Sequence, residues 1–164
     1  MGDDLSFVRA KEKAFRLLSL RARSVSELRA RLKEKGFDDP VVGRVIAYLL
    51  ERGYIDDGSF ARQWARNLAV NRLLGNRRIE MSLREKGIPG ELVGEAITEV
   101  REEISEREAI GRLIGKKEKG RKTTDRKELR RLERNLVGRG FPPGLVFEVL
   151  GRGGEESLPN DASG

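Results

Sequence analysis

The feature of this chain that most constrains its fold is one apolar pattern that occurs three times. In residues 26–37, 77–88 and 130–141, two apolar residues lie four positions apart, and a glycine and a bulky apolar residue follow. The three copies therefore start 51 and 53 residues apart. Repetition on this scale is typical of proteins built from stacked helical units. The matched residues are Leu28, Ile79 and Leu132, then Leu32, Leu83 and Leu136, then Gly36, Gly87 and Gly140.

Each copy contains the start and stop signals of three helices, most clearly the first. Ser24 and Glu27 have the spacing of a capping box, which opens a second helix. Gly36 lies where a helix ends with a left-handed residue. Asp39 is predicted to cap the third helix, with Pro40 at its first position. No segment alternates apolar and polar residues for long enough to predict a strand.

The chain is therefore predicted to be all-α, with three tandem three-helix repeats that form an elongated, curved body. The repeats are expected at residues 5–54, 55–105 and 106–151. Three short helices enclose a small core, so neighbouring repeats must pack on one another or on a partner. Residues 152–164 contain little apolar surface and are predicted to be a disordered tail.

Two residue types that dominate enzyme and metal sites are missing. The chain has no His and no Cys, which removes the commonest general base, thiolate nucleophiles and cysteine metal sites. We therefore expect no enzyme activity and no cofactor. No apolar run reaches the roughly 18 residues of a membrane helix, and residues 1–6 lack a signal-peptide core. A cytoplasmic protein without membrane contact is expected.

Positive charge is concentrated towards the end of the chain. Lys and Arg number 34 against 27 acidic residues, a net charge of +7. Residues 107–139 hold 13 basic and 5 acidic residues, so this segment alone carries +8. Neighbouring acids are too few to neutralise it, so we predict contact with DNA phosphate or an acidic protein patch; a solvated loop is the alternative. The predicted contact residues are Lys116, Lys117, Lys119, Arg121, Lys122, Arg126 and Arg130.

A second basic cluster belongs to the second repeat. Arg72 precedes a predicted helix, and Arg77 and Arg78 fall at its start. Cations are unfavourable beside the positive end of a helix dipole. Because these two cations lie where the helix dipole disfavours them, the sequence suggests that they contact an external anion.

Adjacent carboxylates and three aromatic residues each allow two interpretations. Asp56 and Asp57 could bind a metal, but no third ligand lies nearby, so a helix cap near Ser59 is favoured. Phe60 and Trp64 could stack on bases, yet their spacing of four is more typical of a core. Tyr54 could stack on a base or plug the junction between the first two repeats.

With these residues in view, the chain resembles the RecX family of recombination regulators. The likeness rests on residues 18–28, 53–61, 75–79 and 83–88 together, in this order and at this spacing. It is weakest in the third repeat, and Asn76 stands after Gly75 where a proline is expected. The residues predicted to form structural motifs are Arg23, Ser24, Glu27, Gly36, Gly53, Tyr54, Asp56, Asp57, Phe60, Gly75 and Gly87.

The resemblance implies tandem three-helix repeats and a function without catalysis. Such proteins bind the RecA recombinase filament and restrain its growth, its ATP hydrolysis and DNA strand exchange. The expected partners are this filament and, weakly, single- and double-stranded DNA, and a monomer is expected. Two rivals stay open: a helical DNA-binding protein that acts without recombinase, and a Mg²⁺-dependent nuclease that uses Asp56 and Asp57.

Overall fold

The expected all-α fold is confirmed. The computed structural model describes residues 2–118 and 125–151, and this part of the chain contains helices and no strand. None of its helices is long and apolar enough to cross a membrane. The described helices are α1 (Gly2–Leu20), α2 (Val25–Glu34), α3 (Asp39–Glu51), α4 (Asp57–Arg66), a π-helical turn (Asn67–Asn71), α5 (Asn76–Glu85), α6 (Gly90–Glu103), α7 (Glu106–Glu118), α8 (Arg126–Gly138) and α9 (Pro143–Val149).

The repeated glycines end the second helix of each repeat in the same way. Gly36, Gly87 and Gly140 have φ of +94°, +74° and +98°, a left-handed conformation that glycine adopts without strain. The following apolar residue then donates its backbone N–H to a carbonyl five positions earlier, which is the bond of a Schellman motif. These bonds join Phe37 to Leu32 at 3.3 Å, Ile88 to Leu83 at 3.1 Å and Phe141 to Leu136 at 3.3 Å. The repeated pattern in the sequence is thus a repeated helix end.

Helices α1, α2 and α3 form a three-helix bundle in which each packs on the other two. Its core contains small residues from α1 and larger aliphatic ones from α2 and α3, all less than 5% exposed. The capping box at Ser24 and Glu27 is confirmed, with both of its hydrogen bonds present. The buried core residues are Ala10, Ala14, Leu28, Leu32, Val41, Val42, Val45, Ile46, Leu49 and Ile55.

The prediction that Asp39 caps α3 was wrong by one residue. Asp38 is the cap, and its carboxylate accepts a hydrogen bond from the Val41 N–H at 3.2 Å. Asp39 is the first helical residue, and its side chain pairs with Lys33 at 2.9 Å. The two adjacent aspartates compete for the same role, and only the first one lies in the extended conformation that a cap needs.

Two compact units divide the chain. Unit 1 comprises Met1–Trp64 and Ser82–Ala96, and unit 2 comprises Ala65–Met81 and Ile97–Gly164. In unit 2, α9 packs on both α7 and α8. The residues buried there include Ala109, Ile110, Leu113, Leu132, Leu136, Phe141 and Val146.

Candidate functional site

The sequence motifs of unit 1 meet around the start of α2. The Ser24 hydroxyl accepts the Glu27 N–H at 3.1 Å and donates to the Lys86 carbonyl at 2.6 Å. The Asp57 carboxylate accepts the N–H of Val25, the first residue of α2, at 2.9 Å. Ser24 and the distant Asp57 thus satisfy free N–H groups of one helix start, as buried or half-buried helix ends require, and the Lys86 carbonyl holds the Ser24 hydroxyl.

Glu27 is the charged centre of this arrangement, which we call the Glu27 cluster (Arg21, Ser24, Glu27, Asp57 and Lys86). Its carboxylate accepts bonds from the Arg21 guanidinium and from the Lys86 ammonium, the latter at 3.2 Å. Burial alone would raise the pKa of the Glu27 carboxyl. The hydrogen bonds from Arg21, from the Ser24 backbone and from Lys86 outweigh burial and lower that pKa to about 2.

Arg23 lies beside the Glu27 cluster and is 9% exposed. Its Nε donates to the Leu17 carbonyl at 3.3 Å, near the end of α1. Burial, and then repulsion from Arg21, lowers the pKa of the Arg23 guanidinium. The side chain therefore holds the turn between α1 and α2, and it presents little charge to the surface.

Both neighbouring aspartates are used as helix caps. Asp56 accepts the Ser59 N–H at 3.1 Å at the start of α4, and Asp57 caps α2 from a distance in sequence. The cap interpretation holds, although α4 begins at Asp57 and not near Ser59. Within residues 2–118 and 125–151, no group of three or more carboxylate, His or Cys side chains is arranged to hold a metal ion.

The aromatic residues of the motif region are engaged inside unit 1. Phe60 is 5% exposed and stacks on Trp64, with ring centroids 5.6 Å apart. The Trp64 indole donates to the Ser82 hydroxyl at 2.8 Å, and the Lys86 ammonium lies 5.0 Å from its ring. Tyr54 is 55% exposed and packs edge-on against Phe15 of α1, so it does not plug a junction. The core interpretation is thus confirmed for Phe60, while Trp64 is half-buried.

In unit 2, the start of α5 is capped by other parts of the chain. Gly75 N–H donates to the Arg139 carbonyl at 2.8 Å, and Arg77 N–H donates to the Gly140 carbonyl at 3.3 Å. The N–H of Asn76 donates to the Glu106 carboxylate at 3.2 Å. A proline at position 76 would lack this donor. The end of α8 and the start of α7 therefore hold the start of α5.

Arg77 and Arg78 are exposed in the first turn of α5, as the sequence predicted. The argument that they need an external anion is weakened, because Glu106 and the carbonyls at the end of α8 already supply negative charge at this helix start. Among the described residues, neither guanidinium forms an ion pair. Both remain accessible to a partner.

A basic groove of about 760 Å³ lies next to this helix start in unit 2. Its cations are Arg72, which follows the π-helical turn, Lys116 of α7, Arg134 of α8 and Arg139, the residue after α8. The described residues that line it include no carboxylate. The other lining residues are Asn71, Leu73, Leu74, Leu113, Asn135 and Gly138.

Comparison with known proteins places these features in a family. Two family models match, "RecX, first three-helix domain" at residues 10–49 and "RecX, second three-helix domain" at residues 56–97. The regulatory protein RecX of Mycolicibacterium smegmatis is 34% identical over 146 residues, which cover 86% of this chain and 77% of that protein. The chain belongs to the RecX family. The regulatory protein RecX of Amycolatopsis mediterranei is 33% identical over 162 residues and covers 95% of this chain and 92% of its own length.

Solved RecX structures have the same fold. The crystal structure of RecX from Lactobacillus salivarius superposes with a TM-score of 0.76 at 17% identity and covers 92% of this chain and 97% of its own. The crystal structure of another regulatory protein RecX superposes with a TM-score of 0.76 at 24% identity and covers 92% of this chain and 73% of its own. The likeness in fold thus extends over more of this RecX chain than the two family models do.

The structure brings together only part of the contact surface that the sequence predicted for this RecX chain. Arg72 and Lys116 share the groove, whereas Arg77 and Arg78 do not line it. Arg126 and Arg130 are exposed on α8, about two turns and one turn before Arg134 respectively. The predicted residues Lys119, Arg121 and Lys122, the side chain of Lys117 and the predicted tail lie outside the described residues.

One groove residue, Arg139, was missed by sequence reasoning. It precedes Gly140, the glycine of the third repeated helix end, and by pattern alone it counts only as a helix-end residue. Its guanidinium donates to the Arg72 carbonyl at 2.8 Å, across 67 positions of the chain. The clue in the sequence is a cation next to a repeated glycine, which is too common to single out Arg139.

Proposed function

We propose that this RecX-family protein binds RecA–DNA filaments and restrains filament growth, ATP hydrolysis and strand exchange without catalysing a reaction itself. The proposal rests on membership of the RecX family, since the relatives of this chain are named regulatory proteins. The absence of His and Cys from the sequence and the structural use of Asp56 and Asp57 agree with a non-catalytic role. We further propose a cytoplasmic monomer whose partners are the filament and, more weakly, DNA.

The charge of the chain supports a contact with a polyanion such as a nucleoprotein filament. The basic residues of α8 and of the groove are exposed or half-buried, and in the described part of the chain Arg126, Arg130, Arg134 and Lys116 form no ion pair. A protein that covers phosphates releases bound counterions, so its affinity falls with added salt. The inhibition of strand exchange would then follow from occupation of the surface that an incoming strand needs.

A recombinase ATPase assay on single-stranded DNA tests this function. The protein is titrated into RecA that has assembled on the DNA, and the rate of ATP hydrolysis and the yield of strand exchange are recorded. A fall in both at sub-stoichiometric or equal amounts is expected. If an excess of the protein leaves both unaltered, the proposed function is wrong.

A second candidate is a DNA-binding protein that acts without recombinase. The basic groove of unit 2 favours it, since a surface of this charge needs no recombinase to attract phosphates. A distinct footprint on duplex DNA in the absence of RecA would support this candidate. This candidate ranks second, because the relatives of the chain are named regulatory proteins.

A further inference from the structure

The groove of unit 2 is a built surface and not a chance gathering of flexible cations. A π-helical turn, Asn67–Asn71, leads into the groove. The backbone then turns at Leu73, which has φ of +54° and is 3% exposed. Leu73 is the non-glycine residue with positive φ in the described part of the chain. Such a conformation costs free energy and persists only where the surroundings hold it, and both features are common at functional sites.

Hydrogen bonds fix the backbone of this turn. The Arg101 guanidinium donates to the Leu74 carbonyl at 2.9 Å and to the Asn76 amide oxygen at 2.6 Å. Burial lowers the pKa of Arg101, and the side chain is engaged in the interior. The Leu74 N–H donates to the Leu68 carbonyl at 2.9 Å, while Arg139 donates to the Arg72 carbonyl. Arg72 therefore projects from a backbone segment that hydrogen bonds hold in place.

We infer that this groove binds consecutive phosphates of a nucleic-acid backbone without regard to base sequence, through Arg72, Lys116, Arg134 and Arg139. Three of these four cations are arginines, whose planar guanidinium presents a fork of donors to phosphate oxygens. Arg126 and Arg130 lie on the same side of α8 as Arg134, at intervals of four residues, or about 6 Å along the axis. They extend the basic track beyond the groove. The proposal locates the DNA contact of the proposed function and rests on it for its biological role.

The lining of the groove favours phosphates over bases or a peptide. None of the described residues that line it is aromatic, and these residues offer no platform on which bases stack. Leu73 and Leu113, two of its apolar residues, are only 3% and 8% exposed, so they give an apolar peptide side chain little surface to bury. The four cations are therefore the groups through which the groove binds a partner, and phosphate contacts carry no sequence information.

Binding of two fluorescently labelled single-stranded oligonucleotides of unrelated sequence, measured without recombinase, tests the groove. The variant is Lys116→Gln/Arg134→Gln, because neither side chain forms a described hydrogen bond and both belong to exposed residues. The matched control, Arg16→Gln/Arg29→Gln, removes two charges from exposed residues of unit 1. Far-ultraviolet circular dichroism and the midpoint of thermal unfolding verify that both variants are folded.

We expect the groove variant to bind both oligonucleotides at least tenfold more weakly at low salt and the control to bind like the wild type. The slope of log affinity against log salt should fall by about 1.4, since each phosphate contact to a single strand contributes about 0.7. Equal affinities of variant and wild type would overturn the proposal, as would a wild type that binds neither oligonucleotide.

Two further results separate the alternatives. If poly-L-glutamate binds the wild type more tightly than the oligonucleotides do, and the groove variant loses only that binding, the groove takes an acidic protein segment and the proposal is wrong. The RecA ATPase assay is scored independently of these measurements. A wild type that binds DNA through the groove but leaves the ATPase unaltered would refute the proposed function and leave the groove standing.

Discussion

Glu27 shows how one residue of the family motif serves several parts of the fold. Its carboxylate accepts bonds from Arg21 just after α1, from the Ser24 backbone at the α2 cap and from Lys86 just after α5, and its side chain is 15% exposed. A hydrogen bond to a charged group contributes about 1.5–3 kcal/mol when its partner would otherwise be left unsatisfied. The residue is therefore a structural tie between segments, and the motif does not need a chemical role to explain it.

Replacing Glu27 with Gln is expected to lower the free energy of unfolding at pH 7 by about 2 kcal/mol, because Arg21 and Lys86 lose their partner. The pKa of Glu27 is lowered to about 2 in the folded protein. Its contribution is therefore present above the ordinary pKa of a glutamate and is lost as pH falls towards 2. Urea unfolding at pH 7 and at pH 3 should show a smaller difference between variant and wild type at the lower pH.

Glu34→Gln is the control for this prediction. Glu34 is 66% exposed and pairs with Arg31 at 3.5 Å, which is a surface pair three residues apart on α2. Such pairs contribute little to stability, so this variant should unfold like the wild type at both pH values. A Glu27 variant that behaves in the same way would show that the cluster contributes nothing measurable.

Gly75 is required for a different reason, the close approach of two backbones. A Cβ atom at this position would overlap the main chain of Gly140 and Phe141. We expect Gly75→Ala to lower the free energy of unfolding by about 2 kcal/mol or more, because one of the two segments must move. Gly111→Ala is the matched control: a Cβ there meets no neighbour, and alanine should stabilise α7 by about 0.5–1 kcal/mol. Thermal unfolding of both variants tests this prediction. Equal unfolding midpoints for the two variants would contradict the predicted overlap at Gly75.

At the scale of the helices, the helix ends reveal more about the fold than the helical segments between them do. The sequence predicted the capping box and the left-handed glycines correctly, because the residues that form them lie within six positions of one another. The cap that Asp57 gives to Val25 spans 32 positions, and the bond from Asn76 to Glu106 spans 30. No periodicity encodes such pairs, so they could not be predicted from a single sequence.

The start of α5 allows binding to be separated from folding. In Arg77→Glu/Arg78→Glu, carboxylates replace cations in the first turn, where the helix dipole favours negative charge. We expect the free energy of unfolding to stay level or rise, and co-sedimentation with RecA filaments to fall. Unchanged co-sedimentation at moderate salt would identify the pair as a solvated surface. A loss of stability would show that the dipole argument fails for this helix.

At the scale of the whole molecule, the repeats predicted the fold better than the site. The repeated helix ends and the all-α architecture follow from local patterns, and the excess charge of residues 107–139 indicated the region that contains most of the proposed groove. The groove itself needs Arg72 and Arg139 side by side, and these residues flank the close contact between Gly75 and Gly140. That contact joins two glycines that are far apart in the sequence, and the residues around either glycine do not predict it.

The last prediction concerns the choice between filament and bare DNA. If phosphates supply the only attraction, the protein should leave filaments and bare single-stranded DNA at the same salt concentration, since both attractions are screened alike. A regulator of the recombinase must add contacts with protein, which salt weakens less. We therefore expect a salt concentration at which the protein has left bare DNA but still co-sediments with RecA filaments. The groove variant Lys116→Gln/Arg134→Gln should keep this residual filament binding. Release from both at one salt concentration would identify a plain DNA-binding protein and refute the filament proposal.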